Sequence, residues 1–313
     1  MGGFNPRILG RTGLTVSPLG IGGGSSISSA DLRYAFDQGV NYFFYSSDLH
    51  HFCYGKGAEA LKELCAAGSS VRDKVVLATV SYINNPEKIM AILLDQFAEL
   101  GVDYIDVFHW GWVTERDDPG ALMEIGRAMK DDGGIARFFR EKIMVMKEVN
   151  EALVRRGLVR YVGASFHSRA LAREWLDQLD VVMLRYNLAH LGVERGIFPI
   201  LSGEKNRDPG LVVFNVAHEG HKLISDPPTG YPPGLFVPTI PDCYRYALSN
   251  PYVDVVLAGI SSLHDLDAAL AALEKGPLSL EECQYLREYG SAWASDGRKP
   301  AANPLLNMLG VTA

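Results

Sequence analysis

Short apolar runs alternate with amphipathic stretches along almost the whole chain. After an N-terminal hairpin, in which Arg7–Leu9 turns at Gly10–Gly13 into Thr15–Pro18, strands are expected near Leu19–Gly22, Asn41–Tyr45, Val75–Val80 and Ile105–His109. Four more are expected near Tyr161–Ser165, Val181–Tyr186, Leu211–Asn215 and Val253–Gly259. Each run is short, rich in β-branched or aromatic residues and bounded by Gly, Asp or Asn, as befits parallel strands buried on both faces. Helical periodicity fills Pro86–Leu100, Glu141–Arg156, Ser168–Leu179 and Ser262–Leu273. Pro86-Glu87 suits a first helical turn, and Ser262 with Asp265 gives a capping-box-like start.

Strands that alternate with helices in this way predict an α/β fold, a (β/α)8 TIM barrel. The N-terminal β-hairpin and a C-terminal extension lie outside the alternation, and residues 1–313 are expected to form one domain. Trp112–Arg140, with Asp131-Asp132-Gly133-Gly134, reads as a long irregular segment over the mouth after the fourth barrel strand. Ser291–Ala313, with Pro300 and Pro304, reads either as a wrap around the mouth or as an ordinary frayed end.

Composition narrows the functional classes. The chain has 313 residues, 47% of them hydrophobic, enough for a large core. A net charge of −7 with Lys and Arg interspersed argues against a nucleic-acid partner, which calls for a clustered basic face. No apolar run approaches the roughly 18 residues of a membrane span, so no membrane partner is expected. Cys53, Cys65, Cys243 and Cys283 share no metal-ligand or redox-pair spacing, which suggests reduced thiols, a cytoplasmic location and no metal.

Several motifs occur in order: Arg7-Ile8-Leu9-Gly10-Arg11-Thr12-Gly13, Asn41-Tyr42-Phe43, Tyr54-Gly55-Lys56-Gly57, Val75-Val76-Leu77-Ala78-Thr79, Gly101-Val102-Asp103-Tyr104-Ile105-Asp106, Gly157-Leu158-Val159-Arg160-Tyr161-Val162-Gly163 and Arg185-Tyr186-Asn187. In this the sequence resembles the aldo-keto reductases over nearly its whole length. The resemblance implies carbonyl reduction with nicotinamide hydride. It also implies a Tyr proton donor tuned by a Lys–Asp pair and a His that orients the carbonyl. Tyr54 matches the Tyr. The Asp position holds Phe44, the Lys position Val80, and the His position aligns with Gly111, with His109 two residues earlier. An unperturbed phenol near pKa ~10 needs neighbouring charge to exchange protons near neutrality. The family's Lys-assisted chemistry is therefore not expected here.

Asp48, His50, His51, Tyr54 and His109 are the candidate catalytic groups, because a His beside a Tyr or Asp can act as acid or base without the Lys. For the cofactor, the resemblance points to Ser165, Phe166 and Met183 at the nicotinamide amide, with Phe166 and Met183 replacing the family's Asn and Gln. It points to Phe214 as the stacking ring and to Asn215 in the phosphate-contacting position. Gly259, Ser261, Ser262 and Asp265 fall in the adenosine-phosphate segment, which retains hydroxyls at a helix N-terminus. Cations for the extra phosphate of NADP are missing there, and Asp265 and Asp267 repel it, so the expected cofactor is NAD or NADP without NADP selectivity. Gly22 is a further cofactor-side candidate, although Gly20-Ile21-Gly22-Gly23-Gly24 lacks the dinucleotide spacing and reads better as close backbone packing.

The leading expectation is a divergent oxidoreductase acting on a small carbonyl, alcohol or sugar-like substrate. A lyase, isomerase or dehydratase on the same barrel and a non-catalytic binding subunit remain as alternatives.

Overall fold

The computed structural model describes residues 3–22, 27–47, 57–83, 85–113, 134–166, 168–217, 221–232 and 234–296. A small antiparallel ribbon, β1 (Arg7–Ile8) and β2 (Thr15–Val16), precedes a closed barrel. The barrel strands are β3 (Leu19–Gly22), β4 (Tyr42–Tyr45), β5 (Val76–Ser81), β6 (Ile105–Val113), β7 (Val159–Phe166), β8 (Val181–Arg185), β9 (Gly210–Phe214) and β10 (Val255–Gly259). All are parallel to their neighbours, and β10 pairs with both β9 and β3 to close the ring. The fold expected from the alternation is the fold observed.

Glycine sets how the interior is filled at β3. A Cβ on Gly20 would lie 2.7 Å from the Tyr42 ring, and one on Gly22 would lie 2.6 Å from Leu257 Cγ. Large side chains from β4 and β10 thus fill the space that β3 leaves open, as close packing of an interior demands. On the outer face, Trp110 is buried and donates through Nε1 to Asn150 Oδ1 at 2.7 Å, fastening β6 to the Gly134–Arg155 helix.

Three boundaries differ from the sequence reading. Trp112–Arg140 is not irregular throughout: β6 runs on to Val113 and a helix starts at Gly134, with 114–133 outside the described residues. Aromatic and β-branched residues at Trp110, Trp112 and Val113 favour the longer strand. The helix expected from Pro86 starts at Ile89, because Asn85 makes a turn first; its side chain accepts Glu87 N–H at 2.9 Å and its carbonyl accepts Lys88 N–H at 3.0 Å. Ser291–Ser295 belongs to a helix, Leu280–Ser295, rather than to the tail. Trp293 Nε1 donates to the Asp226 carbonyl at 3.0 Å and Tyr289 Oη to that of Leu223 at 2.7 Å, which anchors this helix. The rest of the expected tail, 297–313, lies outside the described residues.

Asp106 sits near the start of β6 and is buried. It accepts from Arg72 at 2.8 Å, Arg160 at 2.9 Å and the Leu77 backbone N–H at 3.0 Å. Replacing it by Asn leaves Arg72, itself buried, without its counter-charge. Breaking a buried pair from one side typically costs about 3–5 kcal/mol. We expect Asp106→Asn to lower the free energy of unfolding by about that amount in urea titrations. A loss below ~1 kcal/mol, the scale of an exposed pair, would show that the clamp is not structural.

Candidate active site at the barrel mouth

Residues paired across a parallel ladder share a face, so register identifies what lines the lumen. Gly22, Phe44, Ala78 and Val107 form one connected row, and Val80, His109, Gly163, Val181 and Gly210 form another. Phe44 and His109 lie on strands separated by β5, yet their rings meet edge to face with centroids 5.7 Å apart. That contact runs through the interior, so these rows point inward.

The positions of the family's charged pair are apolar and enclosed: Phe44 is buried and Val80 fully so. At Gly111 a Cβ would lie 2.6 Å from the Tyr82 ring and 2.8 Å from Val80 Cγ2, so even alanine is too large. No histidine fits there without moving Val80.

His109 occupies the layer beneath. Its Nδ1 lies 3.2 Å from the Thr79 carbonyl, which can only accept, so Nδ1 carries the proton and Nε2 the lone pair. Nε2 is buried without a hydrogen-bond partner, over Gly163, where a Cβ would lie 3.0 Å from it. Burial lowers the His109 pKa to about 4, outweighing the Thr79 bond that raises it. This corrects the expectation that His109 exchanges protons at the mouth: it is neutral near pH 7 and sealed from solvent.

Asp48, His50, His51 and Tyr54, together with Cys53, lie outside the described residues. They belong to the connection between β4, which ends at the mouth beside Phe44, and the Gly57–Cys65 helix.

Of the cofactor-side candidates, Ser165 stands on the inner face of β7, in register with Met183 on β8. Phe214 ends β9 on the same face and is partly exposed. Phe166 is a correction: alternation puts it with Ala164 on the outer face of β7, almost fully buried, so it cannot take the Asn's place at the amide. Met183 is buried and has no N–H to donate in place of the Gln. Gly22 is filled by Leu257, which makes it a packing glycine rather than a ligand contact. Asn215 adopts a left-handed backbone, φ 61°, which suits Asn. Gly259 pairs with Gly22 at the strand ends.

At the adenosine end, Ser262 caps the Leu263–Lys275 helix, accepting from Asp265 N–H at 3.2 Å. The Asp265 carboxylate in turn accepts Ser261 N–H at 3.1 Å. A carboxylate therefore already uses one of the amides that an incoming phosphate needs. At the mouth Ser165 and Phe214 are a hydroxyl and an aromatic ring on the inner face, whereas at the adenosine end the Asp265 carboxylate opposes an additional phosphate.

Sequence reasoning passed over three basic residues at this rim. Arg185 ends β8 in register with Phe214, two residues beyond Met183 and on the same inner face. His190 and Arg169 stand on the adjoining segments. Alternation along Met183-Leu184-Arg185 was the signal available for the first, and for the others there was none.

Among the described residues no group of three or more His, Cys, Asp and Glu side chains converges on a metal site. No helix there is long and apolar enough to cross a membrane. Burial pushes the thiols of Cys65 and Cys243 up to about 12, far from reactive.

The aldo/keto reductase family model matches residues 25–220. Two solved structures of aldo-keto reductase AKR11C1 from Bacillus halodurans share the architecture. The holo form has a TM-score of 0.68 at 23% identity, covering 92% of this chain and 97% of that one. The apo form has 0.67 at 23%, covering 92% and 96%. A curated relative, aldo-keto reductase family 1 member A1 from Cricetulus griseus, is 32% identical over 133 residues. That match spans 41% of this chain and only 38% of the relative's length. The chain belongs to the aldo/keto reductase family.

His109 generates a pH prediction. Its folded-state pKa lies below the unfolded value near 6.5, so unfolding takes up a proton between the two. Its contribution is complete above pH ~6.5 and is lost as pH falls towards about 4, on the order of 3 kcal/mol in all at ~1.4 kcal/mol per unit. We expect His109→Leu to flatten the stability profile between those limits. Parallel profiles for variant and wild type would show that the imidazole is not buried neutral.

Proposed function

We propose that the chain is an aldo-keto-reductase-type oxidoreductase that acts on a small carbonyl or alcohol, with a nicotinamide coenzyme across the barrel mouth. The observation that carries this reading is that Ser165 and a partly exposed Phe214 both stand on the lumen face near the ends of their strands. Bound there, the coenzyme supplies or accepts hydride. Phe214 offers a ring face to an aromatic, and Ser165 a hydroxyl to an amide. Phe44 and Val80 exclude water from the floor, which strengthens any polar contact above them.

Proton transfer through the family's charged pair is not available, because Phe44 and Val80 stand in its two positions and His109 below them is neutral. The task is assigned to the 48–54 connection, whose Asp48, His50 and His51 are residue types suited to acid–base chemistry. The same apolar floor favours a second reading, in which the barrel binds its ligand without redox chemistry, as a lyase-type enzyme or a binding subunit.

Two measurements test these readings. In calorimetric titrations NADH should bind at least as tightly as NADPH, because Asp265 and Asp267 oppose the extra phosphate. Strong NADPH selectivity contradicts this, and no binding of either coenzyme leaves the non-redox reading. In kinetics, jointly replacing His50 and His51 by Ala should lower kcat by about 10²-fold or more, the scale of a general acid–base group. Tyr54→Phe should cost less. Loss of activity in Tyr54→Phe with both histidines dispensable would mean the phenol still works without its partners.

A further inference from the structure

On the outer wall of the barrel, the Gly134–Arg155 and Arg169–Trp175 helices both pack on β7. Helices elsewhere on the wall close against each other, as Ser29–Asp37 does on Gly57–Cys65 and Gly57–Cys65 on Ile89–Leu100. These two leave a groove of about 560 Å³ between them, the size of a small-molecule site. Val162 lies in its floor, facing outward from β7, whereas Ser165 on the same strand faces the lumen. The groove and the mouth are therefore on opposite sides of the sheet.

Lys147, Asn150, Glu151 and Val154 share one face of the first helix, at the spacing i, i+3, i+4, i+7, and all line the groove. Asn150 is 6% exposed, and its Oδ1 accepts the Trp110 N–H at 2.7 Å. An indole nitrogen only donates, so this contact fixes which amide atom is oxygen and turns the nitrogen the other way. Asn150 Nδ2 makes no hydrogen bond among the described residues and is not sealed by its neighbours, so its N–H groups face the groove. Across from it, Trp175 is 1% exposed, and its Nε1 also has no hydrogen-bond partner. The buried lining thus holds unused N–H donors, while its side-chain acceptor, Asn150 Oδ1, is already engaged.

The rim carries Lys147 and Arg155 against Glu151 and Asp177. Glu151 stands four residues from both cations, yet none of the four forms an ion pair among the described residues. Arg11 fixes the Asp177 turn through the carbonyls of Leu176 at 3.0 Å and Asp177 at 3.2 Å, which leaves the Asp177 carboxylate uncommitted. Two cations and two carboxylates offset each other, so the rim favours an ion of neither sign. An N–H facing a groove walled by valine and indole gains from an acceptor oxygen carried on an apolar body. We propose that this groove binds a small uncharged molecule of the amide class, with an apolar body and a carbonyl oxygen that accepts from Asn150 Nδ2. The site does not depend on the oxidoreductase reading above.

The full chain, with its indole nitrogens isotopically labelled, is titrated with acetanilide and, at constant ionic strength, with the charged probes phenylacetate and benzylamine. The Trp175 N–H resonance is assigned by its loss in Trp175→Phe. We expect acetanilide to shift it saturably, with or without NADH, and the charged probes to bind about tenfold or more weakly. Asn150→Asp keeps an acceptor for Trp110 but loses the N–H groups, and should weaken acetanilide by about tenfold or more. Val154 is 42% exposed, so Val154→Phe fills the groove from its open side and keeps the test valid should the Asn150 variant misfold. It should abolish the shift. No saturable shift, or equal binding by both variants, overturns the site. Phenylacetate or benzylamine binding as tightly as acetanilide overturns the uncharged class. Displacement of acetanilide by NADH puts the probe at the mouth and overturns the groove as its site.

Discussion

Asp106 near the start of β6, Asp180 just ahead of β8 and Asp254 just ahead of β10 each reach sideways to a backbone N–H on the preceding strand: Leu77 on β5, Val162 on β7 and Leu211 on β9. Asn41, ahead of β4, does the same for Ser17, ahead of β3. The eight barrel strands are thus fastened two by two at their N-terminal ends. Buried carboxylates are costly unless satisfied. Burial raises the pKa of Asp254 and Asp180, and the backbone bonds and nearby cations pull it back. Asp106 has Arg72 and Arg160, and Asp254 has Lys205. The apolar rows above can stack in one register only because this end is fixed.

With one end of the barrel fastened, the other can change its chemistry without disturbing the sheet, the division of labour that lets this fold carry many reactions. Here the change is a redistribution of charge. The centre of the mouth, where the family keeps a carboxylate and a lysine, holds Phe44 and Val80 over a neutral imidazole. Basic groups instead stand at the side, on Arg185 and Arg169. Reinstalling an ion pair at the centre would desolvate two charges in a layer packed for rings and methyl groups, a penalty that attraction between them need not offset.

The strand pattern was legible in the sequence because buried parallel strands read as short apolar runs, and eight such runs leave few alternatives to a barrel. The missing charges at Phe44 and Val80 were equally legible, since an absence needs only the right alignment. What a side chain faces was harder to see. Phe166 looked like a cofactor contact until strand alternation turned it outward, and His109 looked like an acid–base group until the contacts around it closed over. The Arg169 position was beyond sequence reading altogether, because it depends on what Gly192, far along the chain, does not carry.

Asn187 links the two parts of the mouth. Its side chain fixes the His190 turn with one oxygen and holds the Asn215 carbonyl with its nitrogen. Asn215 follows Phe214 directly and sits in a left-handed conformation that orients the end of β9. The end of β9 behind the partly exposed Phe214 and the His190 turn therefore share one buried polar residue, and neither can shift far without breaking its hydrogen bonds. A buried hydrogen-bonded network of this kind is rigid. The end of β9 that carries Phe214 and the turn that follows β8 are consequently held in a set relation to each other.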